Sequence, residues 1–325
     1  MGYVFGPVPS RRLGRSLGVD LVPFKTCTYD CIYCQLGRTT HKTVERREWV
    51  PLDEVVAELQ ERLALRPDYV TLSGCGEPTL YSRVGDLIGR IRSLTDIPVA
   101  VLTNGSLLWQ AEVRRQLLDA HLVMPSLDAG DGSVFSAVNR PHADIAFEPM
   151  LEGLIAFRDE YRGQYWLEVF LLGGHTAVLA DARKIAECVG RIKPDRVQLN
   201  TVTRPPAEDY AAAVPRRHLR ELAALFDPAA EVIADSRSVH VEEGFVATRQ
   251  AVLQLLQRRP CSAEDIARGL GIHRNEAAKH VQELLAQGLV DRVSSAQGTY
   301  LRALRKPRVP SIHRRNEHAS EEGPG

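Results

Sequence analysis

Residues 27–34 have the sequence Cys27-Thr28-Tyr29-Asp30-Cys31-Ile32-Tyr33-Cys34 and follow a short apolar segment, Ser16 to Leu21, that has the character of a strand. Three thiolates in one tight loop can hold three irons of a cubane cluster and leave the fourth iron without a protein ligand. An open coordination position is typical of a catalytic metal site. The loop therefore predicts an iron-sulfur centre with Cys27, Cys31 and Cys34 as its metal ligands.

Two other uses of these cysteines fit the sequence less well. A structural zinc ion requires four ligands, usually as two separated pairs, but no second pair exists and His41 is the only histidine close downstream. A disulfide is less consistent still. No apolar signal segment stands at the N-terminus, and the other cysteines, Cys75, Cys188 and Cys261, are scattered.

Length and composition predict a cytoplasmic protein with more than one folding unit. The 325 residues are 44% hydrophobic and 25% charged, enough for a large core and an accessory domain. The formal net charge is zero, so there is no global attraction to nucleic acid or membrane. No stretch approaches the roughly 20 apolar residues that cross a bilayer, and we expect no membrane association.

Residues from about 14 to 245 alternate short apolar runs with longer amphipathic segments, as in repeated strand-helix units. The predicted strands are Ser16 to Leu21, Tyr69 to Ser73, Val99 to Leu102, Leu122 to Ser126, Trp166 to Leu171 and Val197 to Asn200. The predicted helices are Leu52 to Leu65, Val84 to Ser93, Gln110 to Ala120, Glu148 to Tyr161, Leu179 to Ile192 and Arg216 to Phe226. Six such units favour a barrel or partial barrel, although a doubly wound sheet has the same local pattern.

The second predicted strand ends in Ser73-Gly74-Cys75-Gly76-Glu77-Pro78-Thr79. Barrel enzymes place their chemistry at the C-terminal ends of strands. Gly74 and Gly76 let the backbone approach a ligand closely, and Pro78 fixes the turn. An ordinary strand-to-loop turn with a solvated Glu77 is the alternative.

The cysteine spacing, the aromatic Tyr33 and the Gly-Cys-Gly-Glu-Pro element together resemble the radical S-adenosylmethionine (SAM) superfamily. The resemblance implies an α/β fold with a partial (β/α)6 TIM-like barrel and a [4Fe-4S] cluster whose open iron binds SAM. It also implies that one electron, from a donor such as flavodoxin or ferredoxin, cleaves SAM to a 5′-deoxyadenosyl radical that abstracts hydrogen from an unidentified substrate.

In that superfamily the strand-end element takes up the amino group of SAM, which implies cofactor contacts at Gly74, Gly76, Glu77 and Pro78. The aromatic residue before the last cysteine belongs to the same family signature, which implies a further cofactor contact at Tyr33. Cys75 stands where the family pattern has a glycine. It is either an inert small residue or a thiol that donates hydrogen as a catalytic residue.

Polar residues also end the third and fourth predicted strands, at Leu102-Thr103-Asn104-Gly105 and Pro125-Ser126-Leu127-Asp128. Asn104, Ser126 and Asp128 are predicted to bind the ribose or the methionine carboxylate of the cofactor. Asn-Gly is also a common turn pair.

The fifth and sixth predicted strands contribute Glu168 and Asn200. A carboxylate on an apolar strand is costly to bury unless it is hydrogen-bonded, which suits a ribose or substrate ligand. Arg204 follows closely and could clamp an anionic substrate group. The hydrogen donor that finishes the reaction is left open among Cys75, Tyr165 and His175.

The opening segment, Gly6-Pro-Val-Pro-Ser-Arg-Arg-Leu-Gly-Arg-Ser-Leu-Gly18, resembles one branch of these enzymes, related to the tRNA wyosine synthases. Arg11, Arg12 and Arg15 suit either phosphate binding or ion pairs that brace the first strand. The resemblance makes tRNA-base modification an alternative function. Wyosine synthases carry a second cluster on additional N-terminal cysteines, but no cysteine precedes Cys27.

The composition changes near residue 245. Helices are predicted over Ala247 to Gln257, Cys261 to Gly269 and His273 to Gln287, followed by a two-stranded wing that ends at Tyr300-Leu301. This order resembles a winged helix-turn-helix domain. We therefore predict a barrel over 1–245, a winged helix over 246–304 and a disordered tail over 305–325.

Residues 247–310 contain 11 basic and 5 acidic side chains, an excess that the neutral whole chain conceals. Arg274, Asn275 and Lys279 on the third helix are possible nucleic-acid contacts, although Glu276 and Glu283 dilute the positive field. The partner of this domain is therefore either nucleic acid, tRNA included, or a protein. A further alternative is a DNA-binding regulator in which the cluster senses redox state.

Overall fold

The computed structural model of the 325-residue chain describes residues 2–233, 249–270, 272–295 and 298–304. Its first elements are the strands β1 (Val4–Ser10), β2 (Gly14–Val19), β3 (Thr26–Cys27) and β4 (His41–Lys42). β1 and β2 form an antiparallel hairpin, and β3 pairs in parallel with β4 in a separate small sheet. The cysteine loop therefore begins within β3, shortly after the hairpin.

Strands and helices then alternate along the chain. They are α1 (Leu52–Leu63), β5 (Tyr69–Leu72), α2 (Val84–Leu94), β6 (Val99–Thr103), α3 (Ala111–Leu117), β7 (Leu122–Pro125), α4 (Gly132–Val138), α5 (Phe147–Glu160), β8 (Gln164–Phe170), α6 (Leu179–Ile192), β9 (Arg196–Asn200), α7 (Arg216–Ala223) and β10 (Glu231–Val232). The main sheet has the order β1-β2-β5-β6-β7-β8-β9-β10, and every neighbouring pair from β2 onward is parallel. β1 and β10 are its two edges, so the sheet is an open, partial barrel of six strand-helix units.

Alternate residues of each parallel strand face the helices and the barrel interior. On β8, Tyr165 and Leu167 belong to the large core beneath the helices, whereas Trp166 packs with Leu13 and Met124 in a small apolar cluster inside the sheet. This period of two places Glu168 on the same interior face as Trp166. The lower interior is therefore partly filled by apolar side chains, and polar groups lie above them.

The predicted fold class is confirmed, and most element bounds agree within two or three residues. The prediction missed β1, the two-residue strands β3 and β4, α4 and β10. β1 contains Gly6, Pro7 and Pro9, residues that are depleted in strands and are tolerated at a sheet edge such as this one. α4 has only 7 residues and begins at Gly132, so its apolar period is too short to recognise.

The C-terminal elements are α8 (Arg249–Arg258), α9 (Ala263–Leu270), α10 (Arg274–Ala286), β11 (Val290–Ser295) and β12 (Gly298–Ala303). Three helices followed by an antiparallel hairpin are the elements of a winged helix. They share a core that includes Leu256, Ile266, Leu284 and Leu301. The predicted boundary at residues 245–246 and the predicted tail over 305–325 lie outside the described residues.

The winged helix contacts both sides of the opening in the barrel. On one side, Arg258 of α8 forms an ion pair with Asp20 after β2, and its guanidinium lies 4.0 Å from the ring centre of Phe5. On the other side, the Tyr300 hydroxyl donates a 3.0 Å hydrogen bond to the carbonyl of Thr203, which follows β9. The winged helix thus bridges the gap between the first and last barrel strands.

Candidate active site

The three cysteines lie in a loop that other segments hold in place. The N–H of Ile32 donates to the carbonyl of Val138 at 3.0 Å, so the end of α4 supports the middle of the loop. The N–H of Cys34 donates to the carbonyl of Cys31 at 3.2 Å, which closes a tight turn. The structure therefore fixes the loop at the C-terminal side of β2, as the sequence predicts.

Each cysteine sulfur has a nitrogen donor next to it. Lys25 Nζ lies 3.2 Å from Cys34 Sγ. Asn104 Nδ2 lies 3.6 Å from Cys27 Sγ, and Asn139 Nδ2 lies 3.5 Å from Cys31 Sγ. N–H donors stabilise the negative charge of thiolates that ligate a metal and tune an iron-sulfur centre. This donor set fits a cluster bound by all three cysteines.

Burial and, next, the nearby Glu77 carboxylate together raise the pKa of Cys27 to about 12. Burial also raises the pKa of Cys31, with Asp128 contributing. The metal-free thiols therefore keep their protons at neutral pH. Iron coordination would displace these protons, because a metal binds the thiolate form.

Within the described ranges, no three His, Cys, Asp or Glu side chains converge as ligands of one metal ion. A single zinc ion would bring its sulfur ligands within about 4 Å of each other, given zinc-sulfur bonds of about 2.3 Å. In a cubane cluster each thiolate binds a different iron, so the sulfur atoms stand farther apart than they would around a single zinc ion.

The loop after β5 packs directly against the start of the cysteine loop. The N–H of Lys25 donates to the carbonyl of Cys75 at 2.6 Å, and the N–H of Glu77 donates to the carbonyl of Thr26 at 3.1 Å. A Cβ atom at Gly76 would lie 1.8 Å from the Thr26 carbonyl oxygen. Gly76 is therefore required for this backbone contact.

Glu77 is buried, and its carboxylate accepts four hydrogen bonds. Oε1 accepts from the Thr79 N–H at 2.9 Å, the Thr79 hydroxyl at 2.6 Å and the Thr103 hydroxyl at 2.6 Å. Oε2 accepts from the Asn104 N–H at 2.7 Å. Burial raises the pKa of Glu77, and these donors oppose that rise. Glu77 thus joins the ends of β5 and β6. Its contact with the amino group of SAM stays a prediction.

Asn104 and Pro78 lie around the same junction. The Asn104 side chain donates to the Thr28 hydroxyl at 2.7 Å and accepts from the Ser106 N–H at 3.0 Å. Pro78 begins a short 3-10 turn, Pro78–Leu80, and is buried. Asn104 therefore connects the β6 end to the cysteine loop.

Asp128 organises the other side of the cysteine loop. Its carboxylate accepts hydrogen bonds from the Tyr33 hydroxyl, from Asn139 Nδ2 at 2.8 Å and from the Phe170 N–H at 3.0 Å. The Tyr33 and Phe170 rings are stacked 4.0 Å apart. Burial raises the pKa of Asp128 to about 6, although these hydrogen bonds counteract it. Ser126 is half-buried, and its side chain makes no hydrogen bond within the described part of the chain.

Glu168 and Asn200 form a polar chain with an arginine that the sequence did not link to them. Arg12 Nη1 donates to Glu168 Oε2 at 2.6 Å, and Asn200 Nδ2 donates to Glu168 Oε1 at 3.0 Å. Burial raises the pKa of Glu168, but the Arg12 charge and these donors outweigh burial and hold its pKa below the usual value. Arg12 therefore extends from the β1–β2 turn into the barrel interior.

The three predicted hydrogen donors lie in different surroundings. Tyr165 is fully buried beneath the helices and donates to the Leu154 carbonyl at 3.3 Å, so its position contradicts a role at the barrel mouth. His175 is half-buried in the segment after β8. The Cys75 sulfur lies 3.5 Å from Arg258 Nη1, at the contact with the winged helix.

The comparisons with known proteins agree with this arrangement. A family model described as the Radical SAM superfamily matches residues 21–189, which is more than half of the chain. The chain belongs to the radical SAM superfamily. A second model, described as a helix-turn-helix domain, matches residues 247–293. No helix in the described ranges is both long and apolar enough to cross a membrane.

Curated relatives of this radical SAM chain include proteins of two different lengths. A UPF0026 protein of Methanocaldococcus jannaschii is 39% identical over 231 residues, 70% of this chain and 72% of that protein. A protein named GTPase Obg in Brachyspira hyodysenteriae is 42% identical over 287 residues, 87% of this chain. The chain spans only 42% of the length of that protein.

A solved structure supports the barrel of this radical SAM protein. The crystal structure of a radical SAM methyltransferase from Sphaerobacter thermophilus has a TM-score of 0.51 and 16% identity, covering 67% of this chain and 66% of that one. At this identity the likeness shows the fold alone. The superfamily is one of enzymes that use a [4Fe-4S] cluster and SAM, and these are the cofactors of this chain.

Three further residues near the cofactor region were absent from the sequence prediction. Lys25 and Asn139 donate to cysteine sulfurs, and Thr103 holds Glu77. Asn139 is 108 residues from Cys31, so no local pattern indicates the contact. Lys25 lies two residues before Cys27, and this short separation was the one feature of the sequence that could have indicated its contact with the cysteine loop.

Proposed function

We propose that this protein cleaves SAM reductively and uses the resulting radical to abstract hydrogen from a substrate in the barrel interior. The observation that supports it best is the set of three cysteines, each with its own nitrogen donor, packed against the glycine-containing end of β5. Cys27, Cys31 and Cys34 would hold the cluster. We propose that SAM is contacted by the predicted residues on and after β5, β6, β7, β8 and β9.

A cluster held by Cys27, Cys31 and Cys34 would supply the single electron for reductive cleavage of SAM into methionine and a 5′-deoxyadenosyl radical. Abstraction of a substrate hydrogen by that radical would give 5′-deoxyadenosine and a substrate radical. The electron has to come from an external reductant, and we propose a carrier such as flavodoxin or ferredoxin.

The protein side chains serve to place the reactants and to exclude water. Glu77 fixes the ends of β5 and β6 relative to each other, and Asp128 fixes Tyr33 against Phe170. The winged helix covers the open side of the barrel. A reactive carbon radical requires such an enclosed site, because exclusion of water and correct orientation prevent side reactions.

The test is anaerobic reconstitution with iron and sulfide, reduction with dithionite, and measurement of 5′-deoxyadenosine formed from SAM. We expect formation in the wild type and none in the Cys27→Ala, Cys31→Ala and Cys34→Ala variants. Cys188→Ala is the matched control, because Cys188 lies on α6 and its sulfur faces the Gly130 carbonyl. A wild-type cluster that forms but never cleaves SAM would overturn the proposal.

A second proposal concerns the substrate class: modification of a tRNA base, as in the wyosine-synthase branch. Its supporting observation is the orientation of α10. α8 and α9 contact β1, whereas Arg274, Asn275 and Lys279 of α10 are exposed and available to nucleic acid. Exposed basic and amide side chains on such a helix suit phosphate and base contacts, although Glu276 and Glu283 lie on the same helix.

Titration of tRNA at several salt concentrations tests this candidate. Replacement of Arg274 and Lys279 by Ala should weaken binding and lower the salt dependence by about two units of slope, one for each phosphate contact. Arg217→Ala on α7 is the control, since Arg217 is exposed and pairs only locally with Glu221. Binding of duplex DNA instead, with no SAM cleavage, would favour the redox-sensing regulator.

A further inference from the structure

A cavity lined by arginines lies in the lower half of the barrel interior, away from the cysteine loop. It has a volume of about 450 Å³. Its lining, which we call the arginine cavity, consists of Arg11, Arg12, Trp166, Arg196, Gln198 and residues 231–233. Trp166 and Arg196 stand near the beginnings of β8 and β9, so the cavity is at the opposite strand ends from the cluster.

The charges of this lining are not balanced. Arg12 is paired with Glu168, and Arg196 lies 3.7 Å from the carboxylate of Glu231. Arg11 has no hydrogen-bond or ion-pair partner among the described residues. Its side chain lines the cavity, where burial lowers its pKa. Glu168 and Asp265 act on the Arg11 charge from a distance, so the arginine cavity contains a positive charge that no described carboxylate pairs with directly.

Gln198 provides an independent sign of a missing ligand. The residue is 2% exposed, and its Oε1 atom is buried without a hydrogen-bond partner in the described part of the chain. Buried polar atoms are nearly always hydrogen-bonded in folded proteins. The Gln198 amide can offer an acceptor or, after rotation, an NH2 donor to a polar group in the cavity.

Two more arginines add to the positive field: Arg204, in the segment after β9, and Arg259, which follows α8 in the winged helix. The charges of Arg204 and Arg259 act on each other and on Arg11. Burial and, next, the neighbouring Arg259 charge together lower the pKa of Arg204 to about 10. The closest described carboxylate oxygen to Arg204 belongs to Asp265, at 3.9 Å. A bound anion would offset the repulsion among these guanidinium groups.

We propose that the arginine cavity binds the phosphate group of a small-molecule substrate, with Arg11 and Gln198 as its main protein ligands. This inference rests on the proposed radical function. Phosphate suits the site because arginine presents several N–H donors to anionic oxygens. The cavity has the volume of a small ligand, so it accepts a phosphate ester and excludes a nucleic-acid duplex.

The position of the cavity agrees with a substrate that reaches from the phosphate site to the cofactor. Phe170 of β8 stacks on Tyr33 of the cysteine loop, and Trp166 of the cavity lies four residues earlier on the same strand. At a strand rise of about 3.3 Å per residue, the two levels are about 13 Å apart. A phosphate held at the lower level would leave the rest of a small substrate extending toward the radical.

Calorimetric titration of the cluster-loaded, full-length protein with inorganic phosphate tests this assignment, at constant ionic strength against chloride. We expect saturable binding, and at least a tenfold increase in Kd for Arg11→Gln, because one charge-assisted contact is lost. Gln198→Leu should also weaken binding. Arg217→Gln, an exposed arginine on α7, should leave the Kd within twofold of wild type.

Arg11→Lys distinguishes loss of a phosphate contact from a folding defect, because it keeps the positive charge at this position. This variant should bind phosphate more tightly than Arg11→Gln. Absence of saturable phosphate binding, or equal weakening by Arg217→Gln, would overturn the proposal. Displacement of phosphate by tRNA at stoichiometric amounts would overturn the small-molecule assignment in favour of nucleic acid.

The two proposals fail in distinguishable ways. SAM cleavage without substrate is measured on the same samples, and Arg11→Gln should retain it because Arg11 lines the cavity at the opposite strand ends. Loss of SAM cleavage in the wild type with intact phosphate binding would refute the radical function alone. Intact SAM cleavage without phosphate binding would refute the cavity assignment alone.

Discussion

Lys25 places a positive charge beside one of the three cysteine sulfurs. Its Nζ lies 3.2 Å from Cys34 Sγ, and the residue is buried. A cluster gains negative charge when it is reduced, so a neighbouring ammonium stabilises the reduced state more than the oxidised one. The charge of Lys25 should therefore raise the reduction potential of the cluster.

Lys25→Met should make the reduction potential more negative by roughly 60 mV, which corresponds to about 1.4 kcal/mol for one electron. A redox titration of the reconstituted protein, followed by electron paramagnetic resonance, measures this shift. Lys42→Met is the matched control, because Lys42 lies on the neighbouring strand β4 and, among the described residues, its Nζ contacts only the carbonyls of Arg140 and Pro141. Equal potentials in wild type and Lys25→Met would show that the ammonium does not act on the cluster.

Glu168 gives a prediction about pH. Its pKa is held below the usual value in the folded protein, so the folded state binds its proton less readily than the unfolded chain. The stabilisation from the Arg12 pair is therefore present above the unfolded pKa of about 4.3 and is lost as pH falls through the folded pKa.

Glu168→Gln should lower the free energy of unfolding by about 1.5–3 kcal/mol at pH 7, the contribution of a hydrogen bond to a charged group. The difference between variant and wild type should begin to shrink below about pH 4.3, where the unfolded chain takes up a proton at Glu168, and should be lost once pH falls below the lower folded pKa. Urea denaturation at pH 7, at pH 5 and at several values below about pH 4 measures it. Glu112→Gln, which breaks an exposed pair with Arg46, should cost less than about 1 kcal/mol. A difference that is constant with pH would contradict the assignment.

The sequence could not predict which polar side chains pair with one another in the candidate site. The cysteine triplet is local, so its spacing alone indicated a cluster loop. Glu168 also stood out, since a lone carboxylate on an apolar strand needs a partner. Its partner Arg12 is 156 residues away, and only the curvature of the partial barrel brings the two together.

At the scale of elements, the end of β5 depends on close contact with the segment before the cysteine loop. A Cβ at Gly76 would lie 1.8 Å from the Thr26 carbonyl oxygen and 2.8 Å from Val22 Cγ2. Backbone atoms cannot yield as a flexible side chain can, so any side chain at Gly76 must push the two loops apart.

Gly76→Ala should destabilise the protein by about 1–3 kcal/mol, as overpacking does, and should reduce SAM cleavage at least tenfold. Thermal unfolding and the 5′-deoxyadenosine assay measure the two effects. Gly89→Ala is the control: Gly89 is exposed on α2, an added Cβ meets nothing within 4 Å, and alanine favours a helix. That control should be neutral or stabilising, and an equally harmless Gly76→Ala would show that the close contact is unnecessary.

Elements with a long apolar period could be predicted from the sequence almost to the residue. α6 extends over Leu179–Ile192 as predicted, because Ala182, Ile185 and Val189 repeat at helical spacing on its buried face. β1 escaped prediction because its strand conformation comes from pairing with β2 at a sheet edge. The local sequence pattern therefore identified the helices and strands that bury a regular apolar face. It missed those whose conformation depends on pairing with a neighbouring strand.

At the scale of the whole molecule, the position of the winged helix was not predictable, although its elements were. Its helices follow an apolar period, but the residues that fix it to the barrel are single polar side chains such as Arg258 and Tyr300. The structure shows that these contacts join both sides of the barrel opening. We therefore infer that the winged helix completes the wall of the substrate chamber while its third helix faces outward.

Arg258→Ala tests this role directly, because it removes the ion pair with Asp20 and the contact with the Phe5 ring. The two interactions together contribute roughly 2–3 kcal/mol, so local opening should become about thirtyfold more frequent. Amide hydrogen exchange should accelerate accordingly in α8 and β1 and stay unchanged in α5. Arg268→Ala is the control, since Arg268 makes only an exposed pair with Glu264 within α9. Because the opened wall would admit water, SAM cleavage in Arg258→Ala should continue while hydrogen transfer to the substrate falls. Unchanged exchange in α8 and β1 would mean that the winged helix is held by its apolar contacts alone.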